Sequence, residues 1–142
     1  MNREALFSDG TGQYLVPSEP KKNEVVTIRF RTAKNDVDFV RVISGSRAFV
    51  MRKTASEGAF DYHEVRWKLG EEPLRYCFEV NGHEEHGRGV VCYYDRLGVS
   101  DRMISGRRVE ELRATIWVVE IRYGAISAGT MTALSQVLKA KR

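Results

Sequence analysis

This sequence is poor in the features that usually announce chemistry. It holds only two cysteines, Cys77 and Cys92, which form no CxxC pair. Two thiols are too few for a disulfide scaffold or a cysteine-built zinc site, and a single bridge between neighbouring strands stays open. No apolar run approaches the roughly 18 residues a membrane span needs. The opening MNREALFSDG lacks the apolar stretch of a signal peptide. These absences lead us to expect a soluble, cytoplasmic protein without a membrane partner. No serine lies in a GxSxG elbow, and no GxGxxG or P-loop fingerprint is present. No element repeats at a fixed period, and no stretch is of low complexity.

The charge is unevenly placed. The net +4 of the 142 residues lies wholly in 101–142, because cations and anions balance over 1–100. A basic sequence pI near 9.2 therefore gives little support to nucleic-acid binding by the main body. The hydrophobic content of 42% is enough to build a core, and the length points to one domain.

The first hundred residues have the pattern of an all-β protein. In VVTIRFR, Val26, Ile28 and Phe30 share one parity against Thr27, Arg29 and Arg31. VDFVRVI (37–43) alternates again after TAKND (32–36), and the pair reads as a β-hairpin. Further strands are expected in RAFVMRK (47–53), FDYHEVRWKL (60–69), LRYCFEV (74–80) and VVCYYD (90–95). NGHEEHGRG (81–89) reads as a glycine-rich turn. Pro17 and Pro20 mark an extended lead-in with room for a short edge strand. Short strands about ten residues apart, broken by Gly, Pro, Asn and Asp, indicate an antiparallel sandwich.

After residue 101 the pattern changes. SGRRVEELRA reads as a helix start, ATIWVVEIRY as a strand or a buried helix turn, and MTALSQVLKAKR as an amphipathic terminal helix.

Few residues are placed for catalysis. HEEH (83–86) spaces its histidines three apart between glycines, unlike the four-residue spacing of HExxH, so it reads as a solvated turn. His63 stands alone on its strand and reads as a packed or surface histidine. Glu71/Glu72 and Glu84/Glu85 are neighbours within turns, whereas acid/base pairs come from separate elements facing a cleft. The remaining signal is aromatic. Parity assigns Trp67, Tyr76 and Phe78 to the core. Tyr14, Tyr62, Tyr93 and Tyr94 are the candidates for exposure and for stacking on sugar rings. No catalytic or metal-binding residue and no cofactor is expected.

Five segments carry a family resemblance: EALFSDGTGQY (4–14), VTIRFRTAKNDVDFV (26–40), FDYHEV (60–65), LRYCFEVNG (74–82) and VCYYDRLGVSD (91–101). In this order and spacing they resemble the N-terminal immunoglobulin-like domain of neopullulanases, cyclomaltodextrinases and maltogenic amylases. Those enzymes belong to glycoside hydrolase family 13, and the domain is also classed as carbohydrate-binding module family 34. The resemblance covers 1–101 and implies an immunoglobulin-like antiparallel β-sandwich. It implies an accessory module with three partners: an α-glucan, the catalytic (β/α)8 barrel of the parent enzyme, and a second subunit. The alternative is a structural or dimer-interface domain that binds no sugar. The family's catalytic carboxylates lie in the barrel, so this chain is not expected to be an enzyme alone. Residues 102–142 do not resemble the family's continuation and are expected to be a truncated or frame-shifted tail. Sequencing the source locus checks this: an intact gene encoding 102–142 in frame removes the frame-shift reading.

Overall fold

The computed structural model describes residues 1–72, 74–101 and the backbone of 119–121. After a 3-10 turn at Arg3–Ala5, the strands are β1 (Leu15–Val16), β2 (Val25–Ala33), β3 (Val37–Ser44), β4 (Arg47–Val50), β5 (Arg52–Glu57), β6 (Phe60–Lys68), β7 (Leu74–Glu85), β8 (Arg88–Asp95), β9 (Gly98–Ser100) and β10 (Val119–Ile121). One sheet has the order β1-β2-β6-β5. The other has the order β4-β3-β7-β8-β9, with β10 also on β7. Every pairing is antiparallel. β1 is a short edge strand at the start of the lead-in that Pro17 and Pro20 mark.

The two inner faces follow the period of two. Val26, Ile28 and Phe30 of β2 point inward, as do Val40 and Val42 of β3 and Phe78 and Val80 of β7, all fully buried. Phe30 and Phe78 meet across the sheets with ring centroids 4.5 Å apart. Trp67, Tyr76 and Phe78 lie in the core, as parity assigned them.

Three sequence expectations are corrected. β2 and β3 are not a hairpin, for β2 pairs with β1 and β6 while β3 pairs with β4 and β7. TAKND instead carries the chain from one sheet to the other. Asn35 takes a positive φ of 54° there, and its N–H donates to Asp61 Oδ2 at 2.9 Å. Alternation identifies a strand but not its partner. RAFVMRK is likewise two strands, because Met51 is buried between β4 and β5 where the chain changes sheet. Its N–H donates to the Val40 carbonyl at 2.7 Å. Within NGHEEHGRG, residues 81–85 belong to β7. The turn proper is His86–Gly87, with φ of 53° and 76°, as a tight primed hairpin turn requires.

Cys77 and Cys92 are both free and buried. The register sets Cys92 opposite Val80, three residues from Cys77, so the thiols point to opposite faces and form no bridge. Burial pushes the Cys77 thiol up to about 12. Of ATIWVVEIRY, Val119–Ile121 forms a strand on Leu74–Tyr76, so the strand alternative holds there. The two expected tail helices lie outside the described residues.

The core predicts an uneven response to truncation. Phe78→Ala should cost about 3–5 kcal/mol in urea unfolding. Val50→Ala, at a side chain 61% exposed, should stay within about 0.5 kcal/mol.

Candidate functional site

Burying one face of β2 turns Thr27, Arg29 and Arg31 to solvent. The β2–β6 register places Arg29 opposite Glu64 and Arg31 opposite Tyr62. On the far side of β6, Ala55 of β5 lies opposite Tyr62, and Arg52 opposite Glu64. At the near edge, the Tyr14 carbonyl accepts from the Arg29 N–H at 2.9 Å. Gln13, Tyr14, Arg29, Ala55, Glu57 and Tyr62 thus enclose a shallow depression of about 230 Å³ on the outer face of the first sheet.

Arg29 lines it, and Arg31 lies next along the same face of β2. Arg29 donates to Glu64 Oε2 from Nε at 2.8 Å and from Nη2 at 2.6 Å. Its guanidinium carbon lies 6.0 Å from the centre of the Tyr62 ring. Arg31 stacks on Phe60 at 4.3 Å and Phe7 at 5.3 Å, and its Nε donates to the Ala5 carbonyl at 2.9 Å.

The four tyrosines named from the sequence separate. Tyr14 and Tyr62 share the depression, but Tyr14 is only 6% exposed, against the expectation. Phe7 bridges to Arg31 and packs edge-on against Tyr14 with centroids 5.1 Å apart. Tyr62 is half-buried and offers more of its ring. Tyr94 turns inward and packs near Phe30, Phe7 and Phe78 at 5.4–6.4 Å, so its expected exposure is also corrected. Its neighbour Tyr93 must then face outward, on the second sheet. There its hydroxyl donates to Glu79 Oε2 at 3.3 Å, beside the Arg41–Glu79 ion pair. Gln13, Arg29, Ala55 and Glu57 were not anticipated. The pairing of β2 and β5 with β6 brings Arg29, Ala55 and Glu57 to Tyr62, and the Tyr14–Arg29 bond brings Gln13.

The titratable clusters are structural in form. His63 is buried, with Nε2 2.9 Å from Thr32 Oγ1, and burial holds its imidazole below the ordinary value. Next to it, burial opposes the charge of Asp61. The Asn35 N–H, Ser56 and Lys53 outweigh that and keep its carboxyl below the ordinary value. His83 lies 3.1 Å by Nε2 from the Asn35 carbonyl and 2.5 Å by Nδ1 from Asp38. Both partners are acceptors, so the arrangement favours the imidazolium, which donates from both ring nitrogens. The Asn35 carbonyl and then Asp38 raise its pKa. Among the described residues, no three His, Cys, Asp or Glu side chains converge on a metal position.

Two facing antiparallel sheets with a polar-aromatic depression on one outer face define an immunoglobulin-like β-sandwich module. Residues 1–102 match the family described as Alpha amylase, N-terminal ig-like domain. The chain belongs to that family. A cyclomaltodextrinase from Geobacillus thermopakistaniensis (strain MAS1) is 32% identical over 89 residues, covering 55% of this chain. The present chain spans only 15% of that relative's length. Among solved structures, a cyclomaltodextrinase superposes with a TM-score of 0.59 at 18% identity, over 74% of this chain and 18% of its own. A maltogenic amylase from S. marinus gives 0.54 at 15% identity, over 71% and 13%. Both likenesses show the fold.

By NMR the two histidine pKa values should fall on opposite sides of the ordinary value of about 6.5, His83 above it and His63 below. The stability contributed by His83 is full below its unfolded pKa and is lost as pH rises through the folded one. That of His63 is full above its unfolded pKa and declines as pH falls towards and through the folded one. Asp38→Asn should lower the His83 pKa, and an unchanged His83 titration would contradict the assignment.

Proposed function

We propose that this domain is an accessory module of an α-glucan-acting hydrolase and holds glucan in the Tyr14–Tyr62 depression. The observation that carries this reading is one accessible aromatic ring, Tyr62, ringed by the hydrogen-bonding side chains of Gln13, Arg29 and Glu57. A sugar ring is apolar on its faces and hydroxylated at its rim, so it needs both kinds of contact. The depression is smaller than the roughly 300–1,000 Å³ of enclosed small-molecule pockets. That suits a short segment of a chain lying on the surface. Binding is weak in this reading, since a single stacking side chain contributes about 1–3 kcal/mol by analogy with base stacking. In this reading the parent enzyme's barrel supplies the chemistry.

The second sheet favours a second reading. Its outer face presents Phe39, Val50 and Val91, which are 38%, 61% and 37% exposed, around the Arg41–Glu79 pair and Tyr93. Apolar groups gathered on one sheet face fit a packing surface for the barrel or a second subunit. In that reading the module is structural and binds no sugar.

An NMR titration of the full chain with maltotriose and maltoheptaose separates the two. The glucan reading expects saturable shifts at Gln13, Ala55, Glu57 and Tyr62, weakened at least about fivefold by Tyr62→Ala and unaffected by Tyr93→Ala. A flat response through millimolar sugar rejects it and leaves the structural reading.

A further inference from the structure

The outer face of the first sheet has a second depression, of about 310 Å³, lined by Thr27, Arg52, Thr54, Glu64, Val65 and Arg66. Its charge is unbalanced. Glu64 is committed to Arg29 by two bonds to one carboxylate oxygen. Arg52 lies across from Glu64 and Arg66 across from Thr27. Among the described residues, neither arginine has an ion pair. Both are exposed.

A β-bulge helps to shape the site. The β5–β6 register shifts between Lys53 and Ala55, so Thr54 is the extra residue. The shift lets Thr54 line the basic depression while Ala55, its neighbour, lines the tyrosine depression. Two guanidinium forks and two hydroxyls around one hollow match a group with several anionic oxygens. Arginine forks bind phosphate through paired N–H donors, and threonine hydroxyls donate to the oxygens left over.

We propose that this hollow binds a phosphate monoester, with Arg52 and Arg66 as its charged ligands and Thr27 and Thr54 as supporting donors. The site stands whether or not the neighbouring depression holds glucan. Its ester can be carried on a glucan that also reaches Tyr62, or can be free in solution.

The test is an amide NMR titration of the full chain with inorganic phosphate, glucose 6-phosphate and a phosphate-bearing maltooligosaccharide at matched ionic strength. The expected result is saturable shifts at Thr27, Arg52, Thr54 and Arg66 that shrink with added salt. The Arg52→Gln/Arg66→Gln variant should bind about tenfold more weakly. Both side chains are exposed, so its folding is expected to be unaffected. Tighter binding of the oligosaccharide ester than of inorganic phosphate, with added shifts at Tyr62, identifies a glucan-borne group. Equal binding without Tyr62 shifts identifies a free one. Shifts no larger than those given by chloride, or an equal response in the double variant, overturn the proposal. Failure of the glucan reading would appear separately, as silence at Gln13 and Tyr62 with neutral maltoheptaose.

Discussion

The period of two along β2 and β6 governs the molecule. Val26, Ile28 and Phe30 must be buried, and in the register they lie against Trp67, Val65 and His63. Once that stripe turns inward, Arg29 and Arg31 have no choice but the outer face, with Glu64 and Tyr62 across from them. A slip of one residue would bury two arginines and expose the Phe30–Phe78 contact, so the core enforces the register. The surface chemistry follows from the packing of the opposite face. Core and depressions are two sides of one constraint.

That constraint also separates what the sequence discloses from what it hides. Alternation marks β2, β3, β6 and β8 within a residue or two, because each buries one face, but it stops at Val80 while β7 runs on to Glu85. It assigns Trp67, Tyr76 and Phe78 correctly for the same reason. It is silent on partners, so TAKND passed for a hairpin loop when it crosses between sheets. The crossing is fixed by contacts remote in sequence: Asn35 to Asp61, Asp36 to the Asn2 N–H at 2.6 Å, and Lys34 to the Ala59 carbonyl at 2.9 Å. Met51 escaped notice because an apolar residue inside an apolar run carries no mark of a sheet change.

The candidate site was legible in half. Tyr62 could be singled out, being an aromatic that shares its parity with Glu64 and Arg66. Tyr14 lines the depression but is buried rather than exposed, since its cover, Phe7, reaches it through an isolated bridge to Arg31 that no periodicity reveals. For Tyr93 and Tyr94, adjacency demands that one face inward. The sequence does not say which, and packing against Phe30 and Phe78 selects Tyr94.

The Arg29–Glu64 pair connects the two depressions, and its energetics define its role. Its side chains are 38% and 24% exposed, a setting in which an ion pair contributes roughly 0–1 kcal/mol. So small a term does little to hold the sandwich together. Its geometric effect is larger. By drawing the guanidinium onto Glu64 and beside the Tyr62 ring, it forms a wall shared by both hollows. It also removes Glu64 as a partner for Arg52, its other cross-strand neighbour, and leaves that arginine's charge uncompensated. One modest surface interaction therefore gives the face two unlike halves, one aromatic and polar, the other cationic.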